Sequence, residues 1–316
     1  MSKTFLSQPQ FNDEAAAYEW VEARLWPNGP TCPHCGNVDA ARIGKLQGKS
    51  TRVGLRKCYA CRKPFTVKVG TIFEDSHIAM RDWLVAIHLI CSSKKGISAN
   101  QLHRTLGITL KSAWFMSHRI RLAMDPGKSS GPIGGEGKTV ESDETFLNKS
   151  PKTKRTKLIP NQRSGVQVLS LVERGGPIRS MYLDNTSVRA ALAEHLHKDS
   201  RLVTDGAQHY KKLPPEGQHE SVDHSKFEFV RGDVHTNTLE GFFSIFKRGL
   251  VGVYQHMDKR HLDRYLAEFD FRMNTRAKLG CSDSDRAEAL VKSTKGKRLT
   301  YRTTHREVTA EKNLNG

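Results

Sequence analysis

Residues 139–147 read TVESDETFL, residues 165–173 read GVQVLSLVE and residues 178–184 read IRSMYLD. Each run is short, rich in β-branched and apolar residues and set off by polar or glycine-bearing stretches, so the three predict successive strands. SVRAALAEHLHK (187–198) follows with helical spacing, and RLVTDG (201–206) predicts a fourth strand ending in glycine. FEFV (227–230) reads as a fifth. Strands interleaved with helices define an α/β fold.

Beyond these strands, VHTNTLEGFFSIFKRGL (234–250) carries two stripes at helical spacing. Leu239, Phe242, Phe243, Phe246 and Leu250 form an apolar face. Asn237, Glu240, Ser244 and Lys247 form a polar stripe beside it, and Thr236 stands where a cap belongs. An ordinary amphipathic helix would turn that polar stripe to solvent. DKRHLDRYLAEFDFRMNTR (258–276) predicts a second amphipathic helix, and residues 277–316 read as a polar, basic tail.

Upstream, DPGKSSGPIGGEGK (125–138) has no hydrophobic periodicity and reads as a linker. Residues 75–124 predict helices, and SANQLHRTLGITLKSAWFMSHRIRLAM (98–124) has the look of a helix-turn-helix. Leu102, Leu106 and Ile108 supply its apolar face, Gly107 stops the first helix and Thr109 caps the second. Lys111, Ser112, His118, Arg119 and Arg121 remain for phosphates or base edges. Two packed helices of any protein could imitate this pattern.

The first 74 residues hold Cys-Pro-His-Cys (32–35) and Cys-Tyr-Ala-Cys (58–61). A two-residue spacer lets both sulfurs of a pair reach one ion, and Gly36 permits the tight turn of a knuckle. One such pair would also suit a redox dithiol. Two pairs point to a closed, structural Zn²⁺ site made by Cys32, Cys35, Cys58 and Cys61. His34 and His77 read as bystanders, and Cys91 as a core residue.

Charge narrows the partner. Lys and Arg number 51 against 33 Asp and Glu, a formal net charge of +18. The excess is clustered: residues 149–163 and residues 292–306 each hold six basic residues, and the first run has no acidic one. Such clusters point to a polyanion, nucleic acid above all. No run approaches the ~20 apolar residues of a membrane span, and the opening residues are polar, so a soluble, cytoplasmic protein is expected.

The acidic residues supply a candidate site. Asp143 lies in VESDETF, and Asp205 ends the RLVTD strand, at the edge where an α/β sheet presents its chemistry. With Glu240 they could hold two divalent cations about 4 Å apart, suited to a phosphodiester. Glu144, Asp184 and Asp233 compete for the same role, and composition does not choose among them.

Taken in order, CPHCG…KCYAC, KVGTIFEDS (68–76), VESDETF, VTDG, HTNTLEGFFSIFKRGLVGVYQH and LDRYLAEFDFRMN resemble bacterial insertion-sequence DDE transposases. The resemblance spans residues 14–276. It implies a zinc ribbon (32–61) within an N-terminal region 1–74, a helix-turn-helix segment 75–124, a linker 125–138, an RNase H-like catalytic domain 139–276 and a basic tail 277–316. The domain would be a mixed sheet flanked by helices. The resemblance makes Asp143, Asp205 and Glu240 the catalytic carboxylates, binding Mg²⁺ or Mn²⁺. Asn237, an oxygen ligand one turn before Glu240, and Lys247, a phosphate-positioning cation, belong to the same signature, as do His235 and Arg272-x-Asn274. Phe146 and Phe243 replace the Tyr and Trp of many relatives and keep an aromatic ring. The implied activity is metal-dependent DNA hydrolysis and strand transfer at element ends, by a homo-oligomer associated with the nucleoid when bound to DNA. Lys111, Arg119 and Arg121 of the helix-turn-helix, and Lys154, Arg155 and Lys157 of the basic run, would bind the inverted repeats and the target duplex. A DNA-binding regulator using the N-terminal parts alone, or an RNase H-type nuclease, are the alternatives.

Overall fold

A computed structural model of the chain describes residues 5–127, 131–147, 166–210, 218–255 and 257–300. The basic run with Lys154, Arg155 and Lys157, and the end of the second basic run, lie outside the described residues. The chain divides into two compact units, one of Met1–Ile90, Ala99–Ala123 and Ala287–Gly316, the other of Cys91–Ser98 and Met124–Arg286.

The first unit opens with helix α1 (Glu14–Leu25), capped by the Asp13 carboxylate on the Ala16 N–H. A small antiparallel sheet follows, β1 (Ile43–Lys45), β2 (Arg56–Cys58) and β3 (Pro64–Phe65), with Ile43 opposite Cys58 and Arg56 opposite Phe65. Helix α2 (Met80–Ser92) starts where the Glu14 carboxylate accepts from the Met80 and Arg81 amides at 2.8 and 3.1 Å. Helices α3 (Ala99–Leu106) and α4 (Leu110–Met124) meet the expected helix-turn-helix pattern. Gly107 takes φ +65°, a left-handed conformation that stops α3. The Thr109 hydroxyl then accepts from the Ser112 amide at 3.1 Å and caps α4. Leu102, Met116 and Ile120 are buried, as are Ile72, Phe73 and Trp83.

The second unit is built on a five-stranded mixed sheet. Its strands are β4 (Thr139–Leu147), β5 (Val166–Glu173), β6 (Ile178–Leu183), β7 (Arg201–Asp205) and β8 (His219–Val222), in the order β6-β5-β4-β7-β8. The first three run antiparallel as two hairpin steps; β7 and β8 lie parallel to β4. Helix α5 (Val188–His195), capped by Ser187, packs Val188, Ala191 and Leu192 against Val140, Leu169, Leu171 and Leu202 on one face. Helices α6 (Asn237–Gly249) and α7 (Leu262–Asn274) pack Leu239, Phe242, Phe243, Phe246, Leu266 and Phe269 against Val168 and Val172 on the other. Both faces of β5 are thereby covered, which explains its unbroken apolar run.

Three expectations are corrected. The fifth strand is not FEFV (227–230) but His219–Val222, whose Val222 pairs with Asp205. A 3₁₀ turn at His224–Lys226 directs the Phe227 amide to the His224 carbonyl and leaves Phe227 at φ 59°, so the chain turns away from the sheet edge. The linker is partly built in: Ile133 is buried and bridges to Leu196. The supposed tail contains helix α8 (Asp283–Lys292), with Leu290 and Val291 buried and Ser293 and Lys297 donating to the Ala123 carbonyl in the first unit.

Candidate active site and metal centre

Alternation along β4 sends Glu141, Asp143 and Thr145 to one face and Val140, Ser142 and Glu144 to the other. Glu141 sits opposite Val203 in the parallel ladder, and the same register carried two residues further brings Asp143 level with Asp205. Both aspartates therefore lie on the α6 side of the sheet, at one end. The Asp205 carboxylate accepts from the Ala207 amide at 3.2 Å, which steadies the turn after β7.

Glu141 decides where α6 begins. Its carboxylate is fully buried and accepts from the Thr238 amide at 3.0 Å, the Leu239 amide at 3.3 Å and the Thr238 hydroxyl at 2.9 Å. Those are the orphan donors of the first turn, so a side chain of β4 caps the helix and its negative charge meets the positive helix end. Thr236, the expected cap, makes no capping hydrogen bond. Arg174, in the turn after β5, donates to Glu141 at 2.9 Å and to the Asp233 and His235 carbonyls at 2.6 and 2.8 Å. This clamp, with His235 inside it, sets Glu240 one turn into the helix, close enough for its charge to act on Asp143. Glu141 and Arg174 were not expected from sequence; a glutamate two residues before Asp143 in a strand was the available sign.

The electrostatics agree with that placement. Asp143 is pushed up to about 7, first by burial and then by the negative charges of Asp205, Glu144 and Glu240. Glu240 is half exposed, with the Thr236 hydroxyl at 3.4 Å and His224 Nε2 at 3.9 Å from its carboxylate. Asn237, the first residue of α6, is exposed, and so is Lys247, about 10 Å along the axis from Glu240. The competing carboxylates are engaged elsewhere. Asp184 pairs with Lys259 at 2.6 Å, Asp233 pairs with Arg201, and Glu144 accepts from Tyr210 at 2.6 Å on the opposite face. Arg272 and Asn274 serve the framework: Arg272 pairs with buried Glu268, and Asn274 makes both hydrogen bonds of a backbone-like pair with Ile178.

In the first unit the Cys32, Cys35, Cys58 and Cys61 sulfurs all lie within 4.8 Å of one another. Cys32–Cys61 and Cys35–Cys58 are 3.7 Å apart. A tetrahedron with Zn–S bonds of about 2.3 Å has edges of roughly 3.8 Å, so the sulfurs fit a zinc ion. Gly36 takes φ +72° at the first knuckle, and Ile43 and Phe65 close the site from the apolar side. His34 and His77 are not among the ligands, and Cys91 is buried with its thiol pushed up to about 12 by that burial.

The helix-turn-helix presents less charge than expected. Lys111 is exposed in the first turn of α4. Arg119 and Arg121 are buried, as is His118, so the expectation that they face DNA is corrected. Arg119 donates to the Glu74 carbonyl at 2.8 Å and the Leu299 carbonyl at 3.3 Å and stacks on Phe115. Beyond its first turn, α4 is mostly core.

The mixed sheet in this strand order, flanked by helices, is RNase H-like, and the chain joins it to a four-cysteine zinc ribbon. Residues 134–274 match the ISXO2-like transposase domain, and residues 12–64 match the transposase zinc-ribbon domain. Over these two segments the chain is similar to insertion-sequence transposases. It is also similar, at 28% identity over 300 residues covering 88% of this chain and 95% of the relative, to an uncharacterized protein in the transposable element ISH50 of Halobacterium salinarum. No solved structure matches the chain. Among the described residues, no helix is long and apolar enough to cross a membrane.

Proposed function

We propose that this protein is a DNA transposase that binds the ends of its element and cuts and joins DNA at Asp143, Asp205 and Glu240. The observation that supports the reading is the β4–β7 register, which levels Asp143 with Asp205 on one sheet face, together with the Glu141 cap that starts α6, the helix of Glu240, on that same face. Mutual repulsion among carboxylates is relieved by cations, and oxygen donors alone suit Mg²⁺ or Mn²⁺. Asp143, Asp205 and Glu240 would hold the ions, with Asn237 offering a further oxygen. Bound there, two ions would supply Lewis-acid activation of the attacking oxygen and stabilisation of the leaving one.

The chain's own groups do the rest. Lys247, on the exposed stripe of α6, receives a phosphate of the DNA strand and aligns it along the helix. His224 stands beside Glu240, its Nε2 3.9 Å from the carboxylate. Lys111 and the first turn of α4 approach the duplex, since the N-terminal residues of a recognition helix are those that reach base edges. The basic run at residues 149–163 tracks the backbone by charge. A homo-oligomer holding two element ends is the working form, within the cytoplasm.

The test is strand cleavage and joining on DNA carrying the repeats that flank the gene, with Mg²⁺ or Mn²⁺, comparing wild type with Asp205→Asn. Nicks at the repeat ends and joined products are expected from wild type, reduced at least about a thousandfold in the variant, because two-metal sites lose both catalytic oxygens' partners together. Specific binding without cleavage by either protein would identify a regulator instead, and cleavage without joining a nuclease.

A further inference from the structure

The loop between β8 and α6 leaves large apolar side chains in water. Phe227 is 84% exposed, Phe229 52% and Val230 51%, far above the rest of this unit's aromatic residues. Phe227 is also left-handed, at φ 59° and ψ 20°, a conformation that costs a bulky residue energy and that no packing of its ring offsets. The loop is nonetheless braced. The Glu228 carboxylate accepts from the Asp223 amide at 3.2 Å, the Glu228 amide donates to the Asp223 carbonyl at 3.1 Å, and Arg231 donates to the Ser221 carbonyl at 3.1 Å. Glu228 thus turns inward while its two phenylalanine neighbours turn outward.

The position of the loop gives the exposure a meaning. The His224 ring lies 5.1 Å from the Phe229 ring, and the same imidazole is 3.9 Å from the Glu240 carboxylate. The aromatic surface is therefore continuous with the Glu240 corner of the site. It is flanked by Lys226 and Arg231, which pair with Asp223 and Glu228 at 3.5 Å each, so the border of the rings carries both signs of charge. Exposed rings continuous with a phosphodiester site match an unpaired nucleotide, whose base offers a π-face to stack on them.

We propose that Phe227 and Phe229 form a stacking platform for a nucleobase unpaired from the duplex next to the scissile phosphate, an inference that rests on the transposase reading of the carboxylate site. The cost of opening a base pair is met partly by stacking the freed base on these rings, so strands that are already unpaired there bind best.

The experiment measures fluorescence anisotropy of the full-length protein with Ca²⁺ in place of Mg²⁺, so that binding is read without turnover. Two labelled duplexes of one sequence are compared, one continuous and one with unpaired adenines at a nick. Wild type and Phe227→Trp should prefer the second duplex, and Phe227→Ala and Phe229→Ala should lose at least about fivefold of that preference with unchanged circular dichroism. Equal affinities of all four proteins for the unpaired duplex would overturn the platform and leave the transposase reading standing. So would loss of self-association in the alanine variants with DNA affinities unaltered, which would make the patch a contact between copies. Failure of wild type to bind either duplex would overturn both readings.

Discussion

Asp270 is buried on α7 and accepts from the Ser180 amide at 2.6 Å and the Ser180 hydroxyl at 2.7 Å, with Ser170 joined to Ser180 in turn. Burial pushes its carboxyl up to about 7 from 3.8. The folded chain therefore keeps a proton that the unfolded chain has already released, and this group's contribution to stability is full below about pH 4 and lost as pH rises through about 7. Asp270→Asn keeps an acceptor for Ser180 and cannot ionise. Its melting temperature should exceed that of wild type by roughly 5 °C at pH 8 and match it only below about pH 4; thermal melts across that range decide it, and parallel curves would refute the assignment. The same scale explains the misjudged arginines. Arg119 and Arg121 are indistinguishable from surface cations in a list of residues, because which side of α4 faces the core depends on the surrounding helices and on the carbonyls of Glu74 and Leu299.

At the scale of elements, α6 is an amphipathic helix whose polar stripe was readable from spacing, and whose fixing point was not. Periodicity marks a face; it does not show that a strand residue nearly a hundred positions upstream caps the first turn. Glu141→Gln removes the charge from that cap and leaves Arg174 without its ion pair. It should cost about 2 kcal/mol of stability and lower strand cleavage tenfold or more while leaving DNA binding by the first unit intact. Denaturant melts and single-turnover cleavage check this, and unchanged cleavage would remove Glu141 from the account of how Glu240 is placed. Strands show the same division. β4 to β7 are apolar enough to be found by composition, whereas β8, HESV, has one buried residue and hides behind the more strand-like FEFV. Tertiary pairing with β7, rather than local propensity, selects the polar segment. Asp205 could be picked out by its place at the end of β7, whereas Asp143 falls in the middle of β4 and nothing in its position alone marks it.

For the whole molecule, two units with separate cores imply separable responses to metal removal. The ribbon buries only Cys32, Ile43, Cys58 and Phe65 around its cysteines, with Trp26 packed against them, a core too small to hold without its ion. One zinc per chain is expected by elemental analysis. Chelation, or Cys58→Ser, should alter Trp emission through Trp26, which meets the Phe65 ring edge-on at 5.9 Å. Amide exchange in β4 and β5 should stay as slow as in the zinc-loaded protein; acceleration there would show that the second unit also depends on the metal.

Helix α8 has a consequence for how the protein is made. Glu288 pairs with Arg24, the Gly296 amide donates to the Gly70 carbonyl, and Ser293 and Lys297 both donate to the Ala123 carbonyl. The unit that holds the ribbon is therefore closed by residues around 287–297, which the ribosome adds after the whole of the sheet-bearing unit. During synthesis the sheet-bearing unit, complete at residue 286, can settle first, and the ribbon and helix-turn-helix wait for those later residues. A chain that stops before them emerges with the Ala123 and Gly70 carbonyls lacking these donors, so translation through Lys297 becomes a checkpoint on assembly of the first unit.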